Sequence, residues 1–386
     1  MTKKEINEIK GLLEIEDCSI DHLIGCYVDG EKNKVTRLDQ LFLNLPEEEM
    51  HKYLELFRKV LSGTPGRNLL DMQFTTDAYA EDGARPFLQS LKACGLKDPD
   101  IVEKFYDKVI NAFDYPGNFL ILGIHQTYDI PGVSNDGIEM DDASDEIYEY
   151  ILAAVCRVSL TKPGLGYDEG ENTFHNLNQA HIVDAPDLGF LFPAFTDRSA
   201  DEDRVLFYTK DTKELQQDFL DLVLNCTIPL PAVEQKVAFD QLVAETLGPE
   251  ADFETVKTIH ENLKEFVEEE KKESPQAPAL DSKKAKYVLE KSGVPEEKLE
   301  NFEEHFEMAA GEEGKLYAAN IMPARKFEVK TPDVVIKVNP DRTDLIRTEV
   351  INGEECLVIR IDENLEVNGV SVNPQTGEII ERDVEV

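Results

Sequence analysis

The densest group of side chains able to do chemistry is acidic: Asp141, Asp142, Asp145, Glu146 and Glu149. Carboxylates one helical turn apart converge on one face, and hard cations take oxygen ligands, so this cluster is the candidate metal site. It lacks the glycine and alternating oxygens of a calcium loop, and its other reading is a solvated acidic face. His175 and His181 flank Asn176, Asn178 and Gln179, but a six-residue spacing matches neither a zinc helix nor a zinc finger. His125 lies in an apolar run and reads as a core histidine rather than a base. Cys26 lies in another such run, with no histidine nearby in sequence to activate its thiol. The turn Ser62-Gly63-Thr64-Pro65-Gly66-Arg67-Asn68 has the glycines of a phosphate loop. It follows a helical pattern and lacks the Gly-Lys-Ser/Thr ending, so it is not read as one. No serine-hydrolase elbow, dinucleotide fingerprint or kinase signature is present. The chemistry therefore points away from an enzyme, and no cofactor is expected.

Charge sets a second constraint. The net charge of −39 repels nucleic acid and anionic membrane in the far field. Between Asp129 and Asp203 there are 17 acidic and 3 basic residues, whereas Lys315 to Val350 carries 7 basic and 5 acidic. Contact with phosphate would start in that mildly basic region, at Lys326, Lys330, Lys337, Arg342 and Arg347. Lys32, Lys34 and Arg37 would assist from an N-terminal hairpin. The six cysteines are scattered, without the paired spacing of a zinc site, and read as reduced thiols. The apolar runs are too short to span a bilayer, and the N-terminus is a charged helical start without a signal-peptide core. The expectation is a cytoplasmic protein with no membrane contact.

These residues must be held by a fold, and the stretch that organises it is Asn118 to Tyr128. This unbroken apolar run between Tyr115-Pro116-Gly117 and Ile130-Pro131-Gly132 predicts a fully buried strand. Ile151 to Leu160 and Leu188 to Phe195 are its apparent partners. A hairpin is predicted over Ile20 to Arg37, a helix from Leu45-Pro46 to Gly63, and two helices over Arg85 to Cys94 and Asp98 to Phe113. Asp145 to Arg157 is ambiguous and is read as a short helical start passing into a strand at Ala153. Gly164 to Thr173 is read as a loop. Further helices are predicted at Thr212 to Leu224, Val233 to Thr246 and Phe253 to Glu270. The charged, proline-bearing stretch Glu268 to Pro278 is the linker candidate. Two short helices follow, the second too acidic to enter a DNA groove. The C-terminal segment is β-rich, with Asn352-Gly353 as a hairpin turn.

The segments Gly25 to Lys34, Leu45 to Met50, Leu61-Ser62-Gly63, Gly189 to Arg198 and Phe327 to Val335 resemble a bacterial family catalogued as domain of unknown function 4317. That resemblance implies no chemistry and no catalytic residues. The order of elements is also similar to that of YejK-type nucleoid-associated proteins, with Gln217-Asp218-Phe219-Leu220-Asp221-Leu222 similar to a segment of that family. This second resemblance implies an association with the nucleoid.

The expected fold is α+β: a mixed domain over 1–265, an acidic linker with a helical pair over 266–315, and a β-rich domain over 316–386. The expected function is non-enzymatic binding or scaffolding, with nucleoid association through the basic residues above. An acidic adaptor that binds protein alone is the alternative. A metal-dependent enzyme using Asp141 to Glu149 is the third reading.

Overall fold

A computed structural model describes residues 1–16, 18–133, 139–140, 146–311, 313–322, 326–361 and 365–372. The fold is α+β, as expected. Its centre is one antiparallel sheet. The strands are β1 (Ile20–Val28), β2 (Lys34–Leu41), β3 (Leu69–Gln73), β4 (Phe119–Ile130) and β5 (Glu146–Leu160). The chain then leaves the sheet as a hairpin arm, β6 (Gly164–Asp168) and β7 (Thr173–Leu177). It returns as β8 (His181–Val183), β9 (Leu188–Phe192) and β10 (Arg204–Thr209). The order across the sheet is β2-β1-β4-β5-β9-β10-β3, with β8 paired to the end of β5.

Successive side chains of a strand point to opposite faces, and here each face has its own buried cluster. Phe119 and Ile121 of β4, Ile151 and Val155 of β5, and Phe190 of β9 enter one. Leu120, Leu122, Leu152, Cys156 and Leu191 enter the other. Helices α1 (Lys3–Gly11) and α2 (Glu47–Val60) cover the second face through Ile6, Ile9, Leu54 and Phe57. Helices α3 (Ala84–Ala93) and α4 (Pro99–Ala112) cover the first through Leu88, Leu91, Phe105 and Val109.

A third cluster is helical. It joins Phe239 of α5 (Ala232–Leu247), Leu263 of α6 (Phe253–Glu273), Leu289 of α7 (Ser282–Lys291), Phe306 of α8 (Phe302–Ala309) and Ile321 of α9 (Ala318–Ile321). The boundary expected at residue 265 falls inside α6. The segment 266–315, expected as an acidic linker with a helical pair, contains helices α7 and α8 and supplies apolar side chains to this core. Beyond α9 the described residues form separate two-stranded hairpins: β11 (Phe327–Lys330) with β12 (Val335–Val338), β13 (Ile346–Ile351) with β14 (Glu354–Ile359), and β15 (Leu365–Val367) with β16 (Val370–Val372). Asn352 and Gly353 both have positive φ, 55° and 84°, as a two-residue hairpin turn requires.

Three local expectations are corrected. Residues 146–160 form strand throughout, because the buried residues Tyr148, Tyr150, Leu152 and Ala154 recur with period two. The segment 164–177 is a hairpin instead of a loop. The helix expected over Thr212 to Leu224 reduces to a turn at Gln217–Phe219 running into a wider turn at Leu220–Leu224, after a left-handed Gln216 (φ 54°).

The first C-terminal hairpin docks on α6, where the rings of His260 and Phe327 meet edge to face at 5.7 Å. Burial holds the His260 imidazole below its ordinary value of 6.5, so the folded chain resists a proton that the unfolded chain accepts. The stability of this contact is full above pH 6.5 and is lost as pH falls. The urea midpoint of the wild type is expected to drop more between pH 7.5 and 5.5 than that of His260→Gln. Equal drops would remove His260 from the account.

Candidate anion-binding cleft

The turn after α2 joins the sheet to the helical unit. Its Thr64 carbonyl accepts hydrogen bonds from the backbone N–H groups of Arg67 (3.0 Å), Asn68 (3.1 Å) and Leu69 (3.3 Å). Gly66 is left-handed, φ 77°, and a Cβ there would lie 2.3 Å from Tyr317 Cδ1. The Tyr317 ring therefore rests on bare backbone. Asn320 Nδ2 donates to the Gly66 carbonyl at 2.8 Å and to Gln235 Oε1 at 3.0 Å. The Tyr317 N–H donates to the same Gln235 oxygen at 2.9 Å. This seam locks α9 and α5 to the turn.

Beside the seam lies a cleft of about 800 Å3, lined by the turn, by α6 and the Ser274–Pro278 segment, by α9, and by Asn339 to Asp341. Its apolar lining includes Val267 and Ala318, both buried. Lys264, Val267 and Lys271 share one face of α6, because residues three, four and seven apart stack along a helix. With Lys3 and Arg67 they place four cations around the cleft, against Asp341 as the one carboxylate among its lining residues. Lys264 pairs with Asp341, whose carboxylate holds the ammonium above its usual range. Lys3, Arg67 and Lys271 are exposed and make no ion pair among the described residues. Charges more than about 8 Å apart are largely screened at physiological salt. The lining of this cleft thus carries more cations than carboxylates, in a chain whose net charge is −39.

A second cleft of about 630 Å3 shares Pro65, Ser274, Gln276 and Ala277 with the first, and is acidic through Asp71, Asp201, Glu270, Glu273 and Asp281. Its Arg204 and Lys284 are engaged, by Asp71 at 2.8 Å and Glu270 at 2.9 Å. Lys315 and the Met1 ammonium also line this second cleft, which leaves the first compartment the more basic of the two.

The residues singled out from sequence lie elsewhere. Lys34 pairs with Glu103 (2.6 Å) and Asp107 (2.8 Å), and Arg37 also pairs with Glu103. These two cations hold the Glu103 carboxyl down to about 2. Lys337 pairs with Glu328, Arg342 with Asp344, and Arg347 with Glu349. Lys32, Lys326 and Lys330 are exposed. The eight are spread over the first hairpin, the β11–β12 hairpin, a 3-10 turn and β13. Asp141, Asp142 and Asp145 lie outside the described residues. Glu146 and Glu149 sit on β5, where a spacing of three sends side chains to opposite faces, so the helical convergence expected of them does not occur.

Glu149 instead meets His125, its Oε1 2.8 Å from Nε2, while Asp21 Oδ1 lies 3.0 Å from Nδ1. His175 and His181 are exposed on separate strands, and among the described residues no group of three His, Cys, Asp or Glu is disposed to hold a metal ion. Burial pushes the Cys26 thiol up to about 11 and Cys156 up to about 12, so both stay protonated at neutral pH. Lys3, Lys264 and Lys271 were not singled out from sequence, and Arg67 entered only within the turn not read as a phosphate loop, although the i, i+7 pair of lysines on a glutamate-rich helix is a readable signal.

Substituting Gly66→Ala is expected to destabilise the seam, by about 1–2 kcal/mol from left-handed backbone alone and by more from the displaced Tyr317 ring. Gly63→Ala, where the nearest contact is the Asn68 side chain at 3.0 Å, should cost less. Urea unfolding of both variants checks the order, and an equal or reversed order would place the constraint elsewhere.

No curated protein matches the chain, and the likeness to YejK-type proteins gains no support there. A family described as domain of unknown function (DUF4317) matches residues 1–370, nearly the whole length. The chain belongs to the domain of unknown function 4317 family.

Proposed function

We propose that this chain is a non-enzymatic binding protein whose cleft between sheet and helical units holds an organic anion with an apolar body. The observation that carries this reading is the gathering of Lys3, Arg67, Lys264 and Lys271 around one partly apolar cleft in a chain of net charge −39. Val267, Ala318, Ala319 and Met322 offer an apolar lining to the body, and the cations offer charge-assisted hydrogen bonds to a phosphate or carboxylate head. This reading is preferred to nucleoid association through Lys32, Lys34, Arg37, Lys326, Lys330, Lys337, Arg342 and Arg347. Five of those eight are already paired with carboxylates.

Octyl phosphate is expected to raise the melting temperature and to bind more tightly than inorganic phosphate, with octanol giving no shift. The double substitution Arg67→Glu, Lys271→Glu should weaken octyl phosphate by roughly tenfold or more, the loss of about one charge-assisted hydrogen bond. The reading fails if octyl phosphate does not bind, or binds the double variant equally well in calorimetry.

A further inference from the structure

The hairpin arm β6–β7 presents an apolar face that nothing among the described residues covers. Register places Leu165 opposite Asn176 and Tyr167 opposite Phe174, so Leu165, Tyr167 and Phe174 share one side of the two-stranded ribbon. They are 78%, 51% and 68% exposed. The Tyr167 and Phe174 rings meet with centroids 5.3 Å apart, so the two side chains form one continuous apolar patch. Ile182 of β8 and Leu160 at the end of β5, also exposed, flank the base of the arm. The base is tied down by two hydrogen bonds of 2.9 Å between Thr161 and Ala180. A two-stranded ribbon with one apolar face is marginal in water until something packs on it.

Charge decides what that is. The turn at the tip carries Asp168, Glu169 and Glu171, with Asp168 Oδ1 accepting from the N–H groups of Gly170 (2.8 Å) and Glu171 (3.1 Å). Between Thr161 and Asp187, the stretch that contains the arm and its base, the acidic residues are Asp168, Glu169, Glu171, Asp184 and Asp187, against Lys162 as the basic one. A second copy would bring the same negative field against this one, and like charges across an interface are repelled. We propose that the β6–β7 arm docks a different protein, one whose contact surface is apolar at its centre and rimmed by lysine or arginine. Aromatic and aliphatic side chains at the centre with charge at the rim is the ordinary anatomy of a protein interface. The site is distinct from the anion cleft and stands whether or not that cleft binds.

Three twelve-residue peptides test it at 150 mM salt: alternating Val and Lys, alternating Ser and Lys, and alternating Val and Glu. The Val/Lys peptide is expected to bind at least ten times more tightly than Ser/Lys, and Val/Glu not to bind. Leu165→Ser with Phe174→Ser should abolish the tenfold advantage while leaving Ser/Lys binding and the melting temperature unchanged, since both side chains are already in water. A Val/Lys advantage that is missing, or that survives the double variant, overturns the proposal. So does sedimentation showing a wild-type dimer that the double variant dissolves, which would assign the face to self-association.

Discussion

Strand β4 lies between β1 and β5 with helices above and below, so neither parity of its residues reaches water between Phe119 and Gln126. An antiparallel sheet commonly leaves one face wet and reads as alternating apolar and polar residues. Dehydrating both faces removes that alternation, and the apolar run is its consequence. The same constraint sets which small residues the sheet carries. A Cβ at Gly189 would fall 2.4 Å from the Ala153 carbonyl and 2.7 Å from Val60 of α2, so glycine allows the helix to close on the sheet. Cys26 and Cys156 act as small apolar side chains in the two clusters, and the burial that makes them useful there also keeps their thiols protonated.

With both faces taken, polar groups concentrate at sheet ends and seams. His125 shows the end of β4 passing from core to surface, with its ring buried and its two nitrogens facing the half-exposed carboxylates of Asp21 and Glu149. Much of the basic complement is spent locally in this acidic chain. Lys34 and Arg37 share Glu103, and the C-terminal hairpins pair their cations with near neighbours. The cleft beside the Gly66 seam departs from this pattern, because Lys3, Arg67 and Lys271 line it without a carboxylate partner among the described residues. The helical unit that forms its far wall is held by Tyr317 on Gly66 and by Asn320, so the cleft depends on a bare backbone site in a turn.

The amino-acid sequence by itself determined the elements whose signal is local. The run at Asn118 to Tyr128, the amphipathic spacing of α2 behind Pro46, and Asn352-Gly353 each encode a period or a left-handed turn within a few residues, and the fold agrees with them. Local signal failed where two periods competed. Residues 146–152 carry carboxylates at helical spacing and apolar residues at strand spacing, and pairing along the whole of β4 decided for strand. Acidic composition concealed the core behind 266–315, because charged outer faces outnumber the few apolar positions that pack inward. Which cations share a cleft was decided by tertiary structure alone. Lys3, Arg67, Lys264 and Lys271 come from two helices and a turn far apart in the chain, and no local pattern states that Tyr317 will bring them together. Side-chain period fixes which face a residue occupies, whereas what that face meets is set by the packing of the whole chain.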